Sequence, residues 1–256
     1  MIAITREVCP RFDECEITHI ERTPIDLQTA RAQHHAYVNA LREAGCDVIE
    51  LPAEPDLPDS VFVEDTAFIL PEVAVITRPG ADSRKPETES IARALSPHIK
   101  LVEVCEPATV DGGDVLVLGK SIYVGLSTRS NQAAIDQLNG LLRDHGYSVT
   151  GIPLDDCLHL KSAVTRVDEK TLLINKDWVD AEHFANFDLI EVDSSEPSAA
   201  NCLPIGGSLI FPTAFPKTRA KLEARGYQII AVDVSELAKA EGAVTCCSLI
   251  IANQSV

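Results

Sequence analysis

Residues 65–77 read Asp-Thr-Ala-Phe-Ile-Leu-Pro-Glu-Val-Ala-Val-Ile-Thr and hold two short apolar runs on either side of Pro71 and Glu72. Runs of this length with a turn between them are typical of two adjacent β-strands. A segment with helical spacing follows at residues 86–95, and a further β-like run follows at residues 100–105. The sequence therefore predicts a unit made of strand, turn, strand, helix and strand.

The same order of elements recurs along the chain. The predicted strands are residues 66–70, 73–77, 100–105, 115–118, 121–125, 162–167, 171–175, 208–211, 228–232 and 248–252. The predicted helices are residues 26–44, 86–95, 131–145 and 217–225. One residue before each first strand marks a repeat, at intervals of 46, 48, 43 and 44 residues: Asp65, Asp111, His159, Cys202 and Cys246. Such near-regular spacing indicates a repeat architecture.

The fifth unit is incomplete at the C-terminus, because only one predicted strand follows Cys246. The N-terminal part of the chain supplies the missing pieces, a strand over residues 1–5, a helix over 26–44 and a strand over 47–51. We therefore predict one α/β domain, residues 1–256, whose five ββαβ units form a ring around a central cavity. The alternative is that polar residues simply precede strands in any such chain, without a repeat.

The composition describes a chain that can bury a large core and that carries strong negative charge. Of its 256 residues, 45% are hydrophobic, and the formal net charge is −17 at pH 7. This charge disfavours nucleic acids and anionic membrane surfaces, because their recognition needs clustered lysine and arginine. It suits a cationic small molecule. The alternative is that the acidic surface only keeps the protein in solution.

Neither a signal peptide nor a membrane span is expected. The opening residues 1–9 lack a basic start with a long apolar run, and no apolar run reaches the ~20 residues of a membrane-spanning helix. We therefore expect a cytoplasmic protein. The eight cysteines are scattered through a chain too large to need disulfides, so we expect them to be reduced. Their spacing does not support a structural zinc site.

Three residues that precede strands have the chemistry of a nucleophilic site. Cys246 precedes the last strand, and pairing with a histidine activates a cysteine thiolate. His159, between two leucines that we expect to pack in the core, titrates near neutral pH, and Asp111 could hold its tautomer. Alternation along a strand would send Cys246 and Cys247 to opposite faces. The alternatives are that the cysteine is a small core residue and that residues 111–114 form only a turn.

Charged residues near other strand ends suit a charged ligand. Asp59, Glu64 and Asp65 surround a short apolar run, and carboxylates accept the paired hydrogen bonds of a guanidinium well. A divalent metal or a solvated strand end would explain them equally. Arg84 and Arg129 lie on loops after second strands, where they could bind a carboxylate or simply be solvated.

Several stretches resemble the dimethylarginine dimethylaminohydrolase family, which belongs to the pentein superfamily of five-bladed α/β propellers. The stretches that carry the resemblance are residues 59–65, 77–84, 111–115, 125–132, 158–162, 200–202 and 242–248. The resemblance implies that Cys246 is the nucleophile, that His159 is the general acid and base, and that Asp111 lies beside the histidine. It also implies that Asp65 and Glu64 contact the guanidinium of the substrate.

The resemblance assigns the rest of the substrate site in the same way. It implies that Asp59 contacts the substrate amino group and that Arg84 and Arg129 lie near the α-carboxylate. Ala240 matches a position whose backbone touches the substrate, and Ile17 matches, by a looser alignment, a residue of a mobile lid. Some bacterial relatives carry Glu in place of the aspartate beside the histidine, and the lid region aligns only loosely.

The implied activity is hydrolysis of asymmetric dimethylarginine or monomethylarginine to citrulline and dimethylamine or methylamine, through a covalent thiouronium on Cys246. No cofactor or catalytic metal is expected. The expected partner is the small methylated arginine, and the oligomeric state stays open, with a homodimer as one option. One alternative is an arginine or agmatine deiminase with the same machinery. Another is a non-catalytic pentein that binds a ribosomal surface, against which the acidic charge argues.

Overall fold

Five three-stranded sheets make up the fold of residues 1–252, the part of the chain that the computed structural model describes. In chain order the strands are β1 Ile2–Arg6, β2 Asp47–Leu51, β3 Ala67–Ile69, β4 Ala74–Ile76, β5 Leu101–Glu103, β6 Val115–Leu118, β7 Ser121–Leu126, β8 Ser148–Pro153, β9 Val164–Arg166, β10 Thr171–Ile174, β11 Asp188–Glu191, β12 Leu203–Ile205, β13 Ser208–Pro212, β14 Gln228–Val232 and β15 Leu249–Ile251. The sheets are β3-β4-β5, β6-β7-β8, β9-β10-β11, β12-β13-β14 and β15-β1-β2. The predicted α/β class with five repeated units is confirmed.

Each sheet has the same internal pattern, in which the middle strand has one antiparallel and one parallel neighbour. The antiparallel pair needs only a tight turn, whereas the parallel pair needs a longer crossover. The described helices are α1 Leu27–Glu43, α2 Glu87–Leu95, α3 Gln132–Leu142, α4 Leu160–Ala163, α5 Pro216–Ala224 and α6 Ser235–Ala238. Four of them, α1, α2, α3 and α5, form the crossovers. No helix within residues 1–252 is long and apolar enough to span a membrane.

One unit departs from the predicted ββαβ order. The crossover between β10 and β11 contains a single 3-10 turn, Ala181–Phe184, instead of an α-helix. Phe184 is fully buried there, and its ring lies 5.2 Å from the ring of Tyr123. Phe184 and neighbouring apolar residues of the crossover, among them Val179, thus cover this sheet where a helix covers the others.

The two ends of the described chain meet in one sheet. β1 pairs with β15 in antiparallel register, with Ile4 opposite Leu249, and with β2 in parallel register, with Ile4 opposite Ile49. Ile4 and Leu249 are both buried in one apolar cluster. The sheet predicted to close the ring is therefore present. The predicted domain over residues 1–256 extends four residues beyond the described part.

A single helical turn precedes the first strand of four units, where the sequence predicts the strand alone. These turns are Val63–Thr66, Gly112–Asp114, Leu160–Ala163 and Pro197–Ala200, and a non-helical turn at residues 244–247 occupies the fifth position. The first strands are shortened as a result. β3 begins at Ala67 and β9 begins at Val164, one and two residues later than predicted.

A closed circle of hydrogen bonds joins these five turns around the axis. Each link runs between neighbouring units, and most links involve a backbone group on one side. The donors and acceptors are Gly113 N–H to Asp65 Oδ1 at 2.9 Å, Leu160 N–H to Asp114 Oδ1 at 3.0 Å, Asn201 Nδ2 to the Lys161 carbonyl at 3.1 Å, Thr245 N–H to Asn201 Oδ1 at 3.1 Å, and Glu64 N–H to the Cys246 carbonyl at 3.1 Å. The relative positions of the turns are therefore set by direct contacts.

Leu249→Ala should lower the free energy of unfolding by about 2–5 kcal/mol, because removal of a buried leucine side chain leaves a cavity. Urea unfolding followed by circular dichroism would measure the change. Ile20→Ala is the control, since Ile20 is 46% exposed and its loss should change the free energy by less than ~0.5 kcal/mol. An unchanged unfolding midpoint for Leu249→Ala would contradict the role of β15 in closing the ring.

Candidate active site

A small cavity on the axis brings together most of the residues predicted for the site. Seven of the ten predicted residues line it: Asp59, Asp65, Arg84, Arg129, His159, Ala240 and Cys246. Asp111 lies directly behind the histidine and is fully buried. Ile17 is half-buried and packs on the neighbouring apolar cluster, and Glu64 faces another part of the axis.

His159 is held between two aspartates. Its Nε2 lies 3.2 Å from Asp111 Oδ2, and its Nδ1 lies 3.9 Å from Asp65 Oδ1. The residue precedes α4, so its side chain points to the axis while Leu160 is buried in the core. Leu158 lines the cavity instead of packing in the core as predicted, because the chain turns into a helix here and does not alternate as a strand.

The charges around His159 favour its protonated form. Burial alone would lower the pKa of the imidazole, but the carboxylates of Asp65, Asp114 and Asp111 raise it to about 9. His159 is therefore an imidazolium at neutral pH, with a proton to donate. Gly113 makes this packing possible, since a Cβ at that position would lie 2.6 Å from His159 Nδ1.

Cys246 faces the cavity from a turn, and Cys247 faces away from it. Cys246 is half-buried, and its Sγ accepts a hydrogen bond from the Ala243 N–H at 3.4 Å. Cys247 is fully buried in an apolar cluster. The two cysteines point apart as predicted. The cause is the turn in which both lie, and not alternation along a strand, because β15 begins only at Leu249.

The thiol of Cys246 is protonated in this environment. Burial raises its pKa, and the negative charges of Glu64 and Asp65 raise it further. Within the described chain no hydrogen bond joins Cys246 to His159, and both side chains border the same space. A reacting group placed between them would thus contact a sulfur on one side and a proton donor on the other.

Asp65 is a carboxylate held by cations. Arg84 Nη1 lies 2.5 Å from its Oδ2. Burial would raise the pKa of Asp65, but the charges of His159 and Arg84 lower it to about 2. Arg84 also binds Glu87 at 2.8 Å and donates to the carbonyl of Phe62. Arg84 is predicted to lie near the α-carboxylate of a substrate. A carboxylate there would compete with the protein groups that its donors already bind.

Arg129 and Asp59 both hold the segment of residues 16–19 across the cavity. Arg129 Nη2 donates to Thr18 Oγ1 at 2.9 Å, and Asp59 accepts the Glu16 N–H at 3.1 Å. The free volume left in the cavity is about 20 Å³, room for roughly one water molecule. An amino acid can therefore enter only if this segment moves.

The side chain of Glu64 does not line the small cavity. Its two oxygens accept hydrogen bonds from Lys161 Nζ at 2.6 Å and Thr245 Oγ1 at 2.7 Å. All three residues line a larger cavity of about 720 Å³, which includes neither Cys246 nor His159. Glu64 thus lies between the two cavities, and its predicted contact with a guanidinium stays a prediction.

Asn201 is a contributor that the sequence reasoning missed. Its side chain binds Thr245 through both the N–H and the hydroxyl group, and so holds the turn that carries Cys246. The repeat spacing selected the next residue, Cys202, whose sulfur is buried beside Thr165 Oγ1 at 3.3 Å. The available signal was the polar amide one position earlier, because Asn201 offers a donor to one neighbouring turn and an acceptor to the other.

Comparison with known proteins gives the family. The family model described as N,N dimethylarginine dimethylhydrolase, eukaryotic, matches residues 18–252. The dimethylarginine dimethylaminohydrolase of Streptomyces coelicolor is 40% identical over 250 residues, which cover 96% of this chain and 95% of the relative. The chain belongs to the dimethylarginine dimethylaminohydrolase family.

Other relatives agree with this membership in the dimethylarginine dimethylaminohydrolase family. The Pseudomonas aeruginosa enzyme of that name is 38% identical over 226 residues, covering 88% of this chain and 89% of the relative. A solved structure of that enzyme, a cysteine-to-serine mutant complexed with citrulline, has a TM-score of 0.93 and 35% identity over 96% of this chain and 97% of that one. The N-terminal domain of ArgZ, at 17% identity and a TM-score of 0.83, shares the fold.

Glu241→Ala should loosen the segment of residues 16–19, which covers the active-site cavity. Glu241 accepts the backbone N–H groups of Thr18 at 2.8 Å and His19 at 2.6 Å. Without these two charge-assisted bonds, trypsin should cleave after Arg22 about 10-fold faster, in proportion to the population of the opened segment. Timed proteolysis with mass spectrometry measures the rate.

The control for this experiment is Glu89→Ala, which removes an exposed glutamate on α2 that pairs with Arg93 of the same helix. Its cleavage rate should equal that of the parent protein. If Glu241→Ala were cleaved at the parent rate too, the two backbone bonds would not be what holds the segment.

Proposed function

We propose that this protein hydrolyses asymmetric dimethylarginine or monomethylarginine to citrulline and the corresponding methylamine, within one catalytic domain. The observation that carries the proposal is the single cavity bordered by a cysteine, Cys246, and an imidazolium, His159, with the carboxylate of Asp65 beside them. The names of the relatives and the citrulline complex of the Pseudomonas aeruginosa enzyme support the same reaction.

Substrate capture uses groups of opposite charge at the two ends of the ligand. Asp65 accepts hydrogen bonds from the guanidinium, Asp59 binds the α-ammonium group and Arg129 binds the α-carboxylate. In the described structure Asp59 and Arg129 bind residues 16 and 18 of the covering segment. The substrate replaces the segment as the partner of both side chains when it binds. Arg84 supports the guanidinium end indirectly, because it orients Asp65.

The guanidinium also activates the nucleophile. Burial and the carboxylates of Glu64 and Asp65 keep Cys246 protonated, because they raise the pKa of its thiol. A bound cation beside Asp65 offsets that negative charge and lowers the pKa of the thiol. The thiolate then forms when the substrate binds, and the thiol proton passes to solvent water, because His159 is already protonated.

In the first chemical step the Cys246 thiolate forms a bond to the guanidinium carbon, giving a tetrahedral adduct. His159 donates its proton to the dimethylamine nitrogen, and the C–N bond breaks. The adduct becomes a covalent thiouronium on the sulfur, and His159 becomes neutral. Asp111 holds the imidazole in place through Nε2 during this transfer.

In the second step neutral His159 takes a proton from a water molecule, whose oxygen attacks the thiouronium carbon. The C–S bond breaks, the hydroxyl proton of the adduct passes to the Cys246 sulfur, and citrulline leaves with its new C=O bond. The net reaction consumes one water and releases one amine. Because Asp59 and Arg129 recognise an α-amino acid, they favour methylarginine over agmatine, which lacks the carboxylate.

Cys246→Ser should lower kcat for asymmetric dimethylarginine by more than about 10³-fold, since a hydroxyl does not replace the nucleophilic thiolate. Cys247→Ser is the matched control, because the neighbouring sulfur lies in the core and not in the cavity. It should keep most of the turnover of the folded protein. Citrulline release measures both, and a reversed ranking would assign the nucleophile to Cys247.

Arg129→Ala should raise KM for dimethylarginine about 10- to 150-fold, because a charge-assisted bond of roughly 1.5–3 kcal/mol to the carboxylate is lost. Residual turnover of agmatine should change little, since agmatine has no carboxylate. Arg93→Ala, on the exposed face of α2, should affect neither substrate. Equal losses on dimethylarginine and agmatine would mean that Arg129 does not bind the carboxylate.

A further inference from the structure

A fully buried carboxylate, Asp114, lies behind the cavity and does not line it. Its Oδ1 accepts the Leu160 N–H at 3.0 Å, next to His159 in the chain. Its Oδ2 accepts the hydroxyl groups of Ser127 and Ser130, each at 2.6 Å. One carboxylate therefore joins the turn that carries the acid/base group to the loop that carries Arg129.

The two serines pass this contact on to the functional residues. Ser127 Oγ accepts the backbone N–H groups of Arg129 at 3.0 Å and Ser130 at 3.2 Å. Ser130 Oγ accepts the backbone N–H of Asp111 at 3.1 Å. Through Ser127, Asp114 thus holds the loop that carries Arg129. Through Ser130 it holds Asp111, the hydrogen-bond partner of His159.

The chemistry of these bonds requires an acceptor at Oδ2. The Ser127 oxygen already accepts two N–H groups, so its own proton must go to another acceptor. An amide nitrogen at Oδ2 offers only protons, so it could not accept the proton of the Ser127 hydroxyl group. The fit at Oδ1 is also close, because a Cβ at Gly125 would lie 2.7 Å from that oxygen.

Asp114 also differs in charge pairing from the other two acids around His159. Asp65 binds Arg84, and Asp111 lies 3.8 Å from Arg129. Among residues 1–252, the hydrogen bonds of Asp114 come only from backbone N–H and hydroxyl groups. Its negative charge therefore acts on the imidazolium without an arginine bound to it.

We propose that Asp114 is a positioning residue for this reaction, which keeps His159, Asp111 and Arg129 in one arrangement and supports the positive charge of the imidazolium. It contacts no substrate and acts only through these neighbours. The proposal rests on the proposed function for its kinetic consequences, but the geometry of the four residues does not depend on the substrate.

Asp114→Asn tests the proposal because it preserves the shape of the side chain and its acceptor for Leu160. We expect kcat for dimethylarginine to fall about 10- to 100-fold, since small displacements of catalytic groups have effects of this size. KM should rise because the Arg129 loop loses its hydroxyl bonds. His159, followed by NMR and assigned with His159→Asn, should titrate about one pH unit lower, since a neighbouring negative charge is lost.

Ser127→Ala separates the two parts of the effect. It loosens the Arg129 loop but keeps the charge of Asp114, so KM should rise while the titration of His159 stays at the parent value. Glu196→Gln is the matched control, because Glu196 is a buried carboxylate that accepts the backbone N–H groups of Lys217 and Thr218 in another unit. It should leave kcat, KM and the His159 titration unchanged.

A merely structural role would give a different result. Asp114→Asn would then melt at a lower temperature, while the folded protein kept the parent kcat, KM and His159 titration, and this outcome would overturn the proposal. Failure of the proposed function is recognised separately, as a parent protein that releases no citrulline from dimethylarginine. In that case the NMR titration of Asp114→Asn and Ser127→Ala still decides the positioning role.

Discussion

The closed circle of hydrogen bonds around the axis is the constraint on which the rest of the structure depends. Without its neighbours, each unit would have a turn at its inner end whose buried polar groups lack hydrogen-bond partners, and such groups cost free energy. The links between turns satisfy those polar groups and set the angle between neighbours. Because the same turns carry Asp65, Asp111, His159 and Cys246, the contacts that close the fold also assemble the site.

The distribution of charge around the cavity controls the ionisation of the cysteine sulfur. Asp65 remains ionised because His159 and Arg84 surround it, and its charge in turn raises the pKa of the Cys246 thiol. In the proposed mechanism, a guanidinium bound beside Asp65 adds positive charge that lowers the pKa of the thiol. The same carboxylate thus links substrate recognition to activation of the nucleophile.

Several residues have neighbours that their local sequence does not reveal. Glu64 and Asp65 are adjacent in sequence, yet one faces Lys161 and the other faces His159, because a 3-10 turn sends successive side chains in different directions. Arg84 lies on a loop, where solvation is the common outcome, but four protein groups bind it. At the fourth turn, Asn201 joins the circle and Cys202 packs in the core, so the spacing located the turn but not the residue.

The sequence by itself determined the repeat, the pairing of the two chain ends, and the set of residues around the axis that includes Cys246, His159 and Asp111. These follow from short-range patterns, since apolar periodicity sets strands and helices and the repeat interval sets their order. Only the tertiary structure decided that Arg84 is paired with Asp65, that residues 16–19 cover the cavity, and that Asp114 joins His159 to the Arg129 loop. The physical reason is that hydrogen bonds and charge pairs between distant segments depend on distances of a few tenths of an ångström, which arise only when all five units are packed.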